Sequence, residues 1–344
     1  MNWFVWRQHR KQFLVFAILL AAFAAITLPT GLHFWHSYQS ALANCVQNPA
    51  NPTCSDLSDN LFQSNIDQIL FHFVPLAILF LPILLGIFWG APFLAREYAE
   101  GTNNLVWTQG VSRRKWLTVK MLWILSATVL FMAAFAALNT WWSNTPNSLN
   151  LSRFQYIYFA TQGLAPVAYG LFAVAFGILF GAWFRKSMVA VGVVMGLFIM
   201  IALIVVPNFV RTHYMTPVTI TSPMGPGTIE DKIPQGANWV LTRNVVNEDG
   251  KIIGDIFSSA PAQCQQIIQQ MQVKSGSHTI HIKAAPGGGD PIDDCLNKAG
   301  WYQVAKYQPS YRYWEFQEIE TGIYLVLAAL AVGATYILVL KRDA

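Results

Sequence analysis

Four cysteines are the residues whose chemistry is most readily inferred from this sequence. Cys45 and Cys54 lie in one short polar stretch, and Cys264 and Cys295 lie in a long polar segment later in the chain. The sequence contains no Cys-x-x-Cys pair, which weakens a zinc site as the alternative. We therefore expect two disulfides, with local pairing of Cys45 to Cys54 and Cys264 to Cys295 preferred among the three connectivities that four cysteines allow.

A charged, glycine-broken stretch, Ala95 to Lys120, lies between two long apolar runs. Glu97 and Glu100 are three positions apart, so the first part of the stretch predicts a short helix that presents carboxylates on one face. Gly101 ends this helix. Residues suited to a second helical turn, and to another stop and start, follow it: Thr102, Asn103, Gly110 and Ser112.

No residue pattern in the chain indicates catalysis. The phosphate-binding pattern Gly-x-x-x-x-Gly-Lys-Ser/Thr does not occur, and the glycine run at Gly287 is expected to be a loop. His278 and His281 lie in a strand-like stretch, where positions three apart point to opposite faces. We expect no catalytic residue and no metal site, so the chain is not an enzyme on its own.

The apolar runs predict a protein that crosses a membrane several times. The sequence is 54% hydrophobic and 11% charged, whereas soluble domains carry about 25% charged residues. Runs of about 20 apolar residues are long enough to span a bilayer. Six are found, at residues 13–35, 69–91, 121–142, 155–184, 188–210 and 320–340. Gly163 and Pro166 interrupt the fourth run, whose outer end we expect to be tilted, broken or interfacial.

The distribution of Lys and Arg orients these spans, because short cytoplasmic loops accumulate basic residues. The bias places both termini inside. Expected cytoplasmic segments are an interfacial N-terminal helix at 1–12, the stretch 92–120, a turn at 185–187 and a tail at 341–344; expected outside segments are 36–68, 143–154 and 211–319. All four cysteines then lie outside, in an oxidising compartment. The net charge of +5 averages two faces of opposite sign and does not suggest binding to nucleic acid.

These observations predict an all-α polytopic membrane protein of six transmembrane helices with cytoplasmic termini and a small disulfide-stapled α+β extracellular domain. In the segment 211–319, NWVLTRNVVN and HTIHIKAA have strand-like β-branched content, APAQCQQIIQQMQV has helical spacing, and APGGGDP is typical of a loop.

Polar residues within the spans are few. Asn139 and Thr140 lie late in the third span, and Thr161 and Gln162 lie in the fourth. Two interpretations stay open: they line a route through the bundle, or they form hydrogen bonds between helices. Because no ionised group is expected inside a span, a proton- or sodium-coupled carrier is disfavoured.

The stretch from Ala95 to Lys120 resembles the first cytoplasmic loop of type-2 ABC exporter permeases. The resemblance consists of an acidic residue, Glu-Gly-Thr, a leucine, a threonine, and Ser-Arg ahead of a lysine and a new span. In this sequence these are Glu97, Glu100, Gly101, Thr102, Leu105, Thr108, Ser112, Arg113 and Lys120. The segment YQPSYRYWEFQEIETGIYLVLAAL, Tyr307 to Leu330, resembles the junction into the last span of a bacterial subgroup with a large ectodomain there.

The resemblance implies a coupling helix, which binds a separate ATPase subunit and passes its movement to the spans. Residues expected to contribute are Arg96, Glu97, Tyr98, Glu100, Gly101, Thr102, Leu105, Thr108, Ser112, Arg113 and Arg114. It also implies two ATPase partners that bind ATP and Mg, a permease dimer, no cofactor on this chain and a bacterial cell membrane.

The implied function is export of an amphipathic or lipophilic substrate such as a drug, peptide or lipid. The alternative is a sensor or resistance component whose ectodomain binds an external peptide or antibiotic and signals through the same scaffold.

Overall fold

The computed structural model describes residues 2–47, 65–101, 112–144, 153–224, 233, 238–275 and 291–342. The chain divides into two compact units. The membrane unit comprises Met1–Tyr214 and Tyr313–Ala344, and the insert unit comprises Met215–Arg312. Each unit has its own core and is described separately.

All the secondary-structure elements of the membrane unit, within its described residues, are helices. Its helices are α1 (Asn2–Gln47), α2 (Asn65–Leu85), α3 (Ala91–Glu100), α4 (Arg113–Trp142), α5 (Tyr156–Thr161), α6 (Ala165–Phe184), α7 (Ser187–Phe198) and, after the insert unit, α11 (Tyr313–Arg342). A π-helical segment, Gly86–Gly90, joins α2 to α3, and a second, Ile199–Val210, extends α7 into a 3-10 turn at Arg211–His213.

Six helical stretches of the described residues are long and apolar enough to span a membrane, which confirms the predicted number. They are Arg10–Gln47, His72–Glu100, Arg113–Trp142, Ala165–Phe184, Ser187–His213 and Ser310–Lys341, called the first to sixth spans below. Helix α1 continues to Gln47, beyond the predicted end of the first span at residue 35. Hydropathy identifies only the apolar part of a helix, which can lie in the lipid. The helix itself continues into polar residues that also favour helical structure.

The fourth apolar run is broken, in agreement with the expectation from Gly163 and Pro166. Helix α5 ends at Thr161, Gly163 has a φ of +68°, and α6 begins at Ala165 with proline in its first turn. Glycine adopts this left-handed conformation without strain, and proline suits the start of a helix because it lacks the N–H that would be unpaired there.

Helix α6 lies at the centre of the membrane unit. In the most apolar 18-residue stretch of α6, 67% of the residues are buried, compared with 17% in the corresponding stretch of the first span. It approaches the second span along two Gly-x-x-x-Gly pairs, Gly86 with Gly90 and Gly177 with Gly181. A Cβ added at Gly177 would lie 2.7 Å from the Cα of Gly90. Small residues at this spacing allow helix backbones to make direct contact in membranes.

The insert unit is a four-stranded antiparallel sheet with helices. Its elements are β1 (Val218–Pro223), β2 (Trp239–Val246), β3 (Ile252–Ile253), α8 (Ile256–Ser259), α9 (Ala262–Ser275), α10 (Pro291–Lys298) and β4 (Tyr302–Gln308). The strand order is β1-β4-β2-β3, with the last strand of the sequence paired centrally. The unit confirms the predicted α+β content, including the strand at NWVLTRNVVN and the helix at APAQCQQIIQQMQV. The strand predicted at HTIHIKAA lies outside the described residues.

A disulfide between Cys264 and Cys295 joins α9 to α10, as predicted. Cys264 is fully buried in the core of the insert unit, where Ile268, Leu296 and Trp301 pack around it. Cys54 lies outside the described residues, so its pairing with Cys45 stays a prediction.

Candidate functional site

The charged stretch between the second and third spans is the strongest candidate site, and the structure describes both of its flanks. Helix α3 ends at Glu100, and Gly101 follows in the left-handed conformation with a φ of +66°. Helix α4 begins after Ser112, whose hydroxyl accepts a hydrogen bond from the Lys115 amide at 3.4 Å. The predicted helix end and cap are thus found. Thr102, Leu105 and Thr108 lie outside the described residues.

Glu97 is directed into the protein rather than towards a partner. Its carboxylate forms an ion pair and hydrogen bond with the Lys120 ammonium, and the two residues are 8% and 0% exposed. The ammonium also lies 5.1 Å from the ring centroid of Trp116 and 5.4 Å from that of Phe93. The expectation that Glu97 and Glu100 present carboxylates together on one face is therefore wrong for Glu97. The register of α3 places it on the side that faces α4.

The exposed polar side chains of the same flanks are Arg96, Glu100, Ser112, Arg114 and Lys115, whereas Arg113 is half-buried. Tyr98 is also half-buried, and its ring lies 4.8 Å from the Arg185 guanidinium in the turn between the fourth and fifth spans. Arg185 has a φ of 54°, in the left-handed region that favours glycine, at the C-terminal cap of α6. The cation–π contact with Tyr98 gives an arginine at this position a stabilising role that glycine lacks.

A third contact joins the same region to the last helix. The Tyr336 hydroxyl of α11 donates to the Thr118 hydroxyl of α4 at 2.8 Å. The flanks of the charged stretch are therefore connected to one another through Glu97 and Lys120, to the turn after α6 through Tyr98, and to the sixth span through Thr118. We call these three contacts the inner lock.

The four residues considered as route-lining groups gather at the break between α5 and α6. The Asn139 amide donates to the Thr161 carbonyl at 2.9 Å, and the Gly163 amide donates to the Thr140 hydroxyl at 3.0 Å. Asn139, Thr161 and Gln162 are at most 1% exposed. These contacts support the alternative in which the polar groups join helices, and lining of a route stays a prediction.

Gln317, which no sequence pattern indicated, completes the polar contacts at this break. Its side-chain oxygen accepts from the amides of Leu164 and Ala165 at 3.2 and 2.9 Å, and its side-chain nitrogen donates to the Phe159 carbonyl at 2.8 Å. Backbone groups freed by a broken helix are costly in lipid. Gln317 satisfies those groups from the neighbouring helix.

A second group of polar side chains, which we call the Glu320 cluster, was also missed. The Arg211 guanidinium forms two hydrogen bonds with the Glu320 carboxylate at 2.7 and 2.8 Å, and both side chains are at most 2% exposed. The hydroxyls of Tyr169 and Tyr214 donate to the same carboxylate. The guanidinium lies 4.0 Å from the centroid of the Phe159 ring. Burial, and then the Glu320 charge, raise the pKa of Tyr214 well above its usual value, which keeps this phenol a neutral donor.

The expectation that no ionised group is buried in a span is therefore wrong. The argument against a proton- or sodium-coupled carrier rested on that expectation and no longer holds. Glu320 is the first residue of the predicted sixth span, and Arg211 is the first residue of the predicted outside segment 211–319. Neither was expected to be buried. Helical periodicity could have identified Glu320, because Phe316, Glu320 and Tyr324 share one face of α11 and all are fully buried. Within the described residues, no group of three or more His, Cys, Asp or Glu side chains could hold a metal ion.

Comparison with known proteins bears on the membrane unit. The family model described as ABC-2 membrane transporter related matches residues 17–211, more than half of the chain. The match begins within the first span, ends within the fifth, and includes the second to fourth spans and the charged stretch. No curated protein and no solved structure matches the chain.

Proposed function

Because the chain belongs to the ABC-2 membrane transporter related family, we propose that it is the permease subunit of an ATP-driven exporter in a bacterial cell membrane. Family membership makes it a transport-related, multi-pass membrane component. Export, rather than import, and an amphipathic or lipophilic substrate are the finer parts of the proposal. ATP and Mg are bound by two separate ATPase subunits, and two permease chains form the pathway.

The inner lock is the observation that supports coupling at the charged stretch. A segment that transmits movement must be connected rigidly to the spans it moves. The Glu97–Lys120 pair holds the inner ends of the second and third spans together, and the Tyr98–Arg185 contact adds the turn after the fourth. A displacement of this stretch would therefore move several helices together.

Exposed charges on the same flanks are suited to contact a partner. Arg96 and Glu100 are exposed on α3, and Arg114 is exposed at the start of α4. Charges of both signs at a protein interface provide orientation and specificity. We therefore assign docking to these exposed residues, and transmission to the buried pair.

Affinity purification in mild detergent tests the proposal. We expect the unmodified chain to be recovered with a protein that hydrolyses ATP. Glu100→Lys should reduce the recovered ATPase activity several-fold by reversing one charge at the interface. Glu315→Lys is the matched control, because Glu315 is also an exposed glutamate and lies on α11.

Equal ATPase recovery with Glu100→Lys and its control would contradict docking at α3. Failure of the unmodified chain to recover any ATPase would contradict the proposed function itself. Glu97→Lys is unsuitable for this purpose, because it would bury two ammonium groups side by side and destabilise the fold.

A sensor function is supported by one observation in the insert unit. A cavity of about 460 Å³ lies beside the β1 edge strand, lined by Thr221, Asn297, Trp301 and Tyr302. An edge strand next to a cavity can bind an extended peptide. Replacing the insert unit with a short linker distinguishes the two functions. Loss of transport would support a role in export, whereas loss of antibiotic-induced signalling with transport unchanged would favour the sensor.

A further inference from the structure

A large groove lies between α1 and α4. Its volume is about 1080 Å³, slightly above the roughly 300–1,000 Å³ typical of small-molecule pockets. Leu14 and Phe131 are among the apolar side chains that line its walls, and Arg10 and Lys11 lie at one end.

The walls of the groove offer an apolar surface. Ser126, a polar residue in the lining, donates its hydroxyl to the Leu122 carbonyl of its own helix at 2.5 Å. Arg10 and Ala17 both line the groove, and their separation of seven residues corresponds to about 10 Å along the α1 axis. A molecule bound in the groove would therefore contact two cations at one end and mainly apolar side chains over the remaining length.

The two cations are available to a ligand. Arg10 and Lys11 are exposed, and within the described residues neither forms an ion pair with an acidic side chain. Basic residues next to a membrane span attract anionic lipid headgroups, with about 1 kcal/mol of binding free energy for each residue near the surface.

The groove opens sideways, to the surface that faces lipid. Leu14 and Leu130, which line it, are 59% and 69% exposed. A side chain of this kind in a membrane-spanning helix borders the bilayer. The occupant can therefore enter from the membrane without crossing the protein.

We propose that this groove binds an anionic phospholipid of the surrounding bilayer. The phosphate pairs with Arg10 and Lys11, and an acyl chain lies along Leu14, Leu130 and Phe131. The lipid fills the space between the first span, which is the least buried, and the third. This inference requires only that the chain spans a membrane, and does not depend on an ATPase partner.

Native mass spectrometry of the detergent-purified full chain tests the proposal. The probes are phosphatidylglycerol and phosphatidylcholine with identical acyl chains. We expect the unmodified chain to retain phosphatidylglycerol preferentially. Arg10→Gln with Lys11→Gln should reduce that preference about thirtyfold. Lys186→Gln with Lys341→Gln is the control, because it removes the same charge from two other exposed positions.

A second pair of variants tests the apolar part. Leu130→Trp should fill the groove and lower retention of both lipids at least threefold. Leu122→Trp is matched to it, since Leu122 is 63% exposed on the same helix but does not line the groove. A thermal unfolding midpoint within a few degrees of the unmodified chain establishes that each variant is folded.

Three results would overturn the proposal. The first is equal lipid retention in Leu130→Trp and Leu122→Trp. The second is an equal preference for phosphatidylglycerol in the Arg10→Gln, Lys11→Gln variant and in its Lys186→Gln, Lys341→Gln control. Dissociation of a dimer by Leu130→Trp, with lipid retention unchanged, would instead make the groove an interface between two copies of the chain.

Discussion

At the scale of single residues, the structure separates charges that lie inside the protein from charges that can meet a partner. Four charged residues are buried and form two ion pairs within the membrane unit: Glu97 with Lys120, and Arg211 with Glu320. Removing one member of a buried ion pair is strongly destabilising, because the other charge is left uncompensated. The Glu320 cluster provides the sharper test, because its carboxylate accepts hydrogen bonds from three side chains.

Glu320→Gln should lower the free energy of unfolding by roughly 3–5 kcal/mol. The amide carries no charge, so the Arg211 guanidinium would remain buried without a counter-ion. Denaturant unfolding of the purified chain in detergent measures the change. Glu318→Gln is the control, since Glu318 is exposed two residues earlier on the same helix, and surface substitutions change stability by about 0.5 kcal/mol or less. Equal unfolding midpoints would show that the pair contributes no stability.

At the scale of elements, the second and fourth spans approach each other closely through their glycines. A Cβ at Gly90 would lie 2.7 Å from the Val174 carbonyl oxygen, and one at Gly177 would meet the Gly90 Cα at 2.7 Å. Neither neighbour is a flexible side chain that could move aside. Because α3 continues directly from this contact to Glu100, the close approach also positions the charged stretch.

Gly177→Val should therefore separate α6 from the second span and destabilise the membrane unit by roughly 1–3 kcal/mol or more. The thermal unfolding midpoint in detergent measures this effect. Gly333→Val serves as the control, since an added Cβ at this position of α11 meets nothing within 4 Å apart from the adjacent backbone of its own helix. A variant at Gly177 with the same midpoint as its control would contradict the close packing of these helices.

At the scale of the whole molecule, the chain combines a helical membrane unit with an insert unit that has its own core and disulfide. The Cys264–Cys295 bond closes a separation of 31 residues. A crosslink of this length is worth roughly 3–4 kcal/mol on the loop-entropy model. That contribution is a large share of the stability of a small domain, and it belongs to the insert unit alone.

Cys264→Ala with Cys295→Ala should accordingly loosen the insert unit while the six spans stay folded. Limited trypsin digestion measures the effect, because Arg243 and Lys251 lie in and beside the sheet. We expect faster cleavage at these two positions in the double variant, with unchanged elution from a sizing column. Cleavage at the rate of the unmodified chain would indicate that the sheet and apolar core suffice without the disulfide.

The sequence by itself determined the features that depend on neighbouring residues. Long apolar runs predict spans because their transfer into lipid is favourable whichever helices they later contact. Gly101 ends α3 and Ser112 caps α4 through contacts with backbone groups only a few residues away. The β-branched content of β2 and the helical spacing of α9 are local for the same reason. The family resemblance likewise rests on short motifs.

Only the tertiary structure decided which charges face inwards. Glu97 and Lys120 are 23 residues apart, and Arg211 and Glu320 are 109 apart. Their pairing depends on helix register and on which helices are neighbours, and no local pattern contains this information. A carboxylate at the end of a span looks the same in the sequence whether it meets water, a partner or a buried arginine. Packing against α4 and α6 distinguishes Glu97 from Glu100.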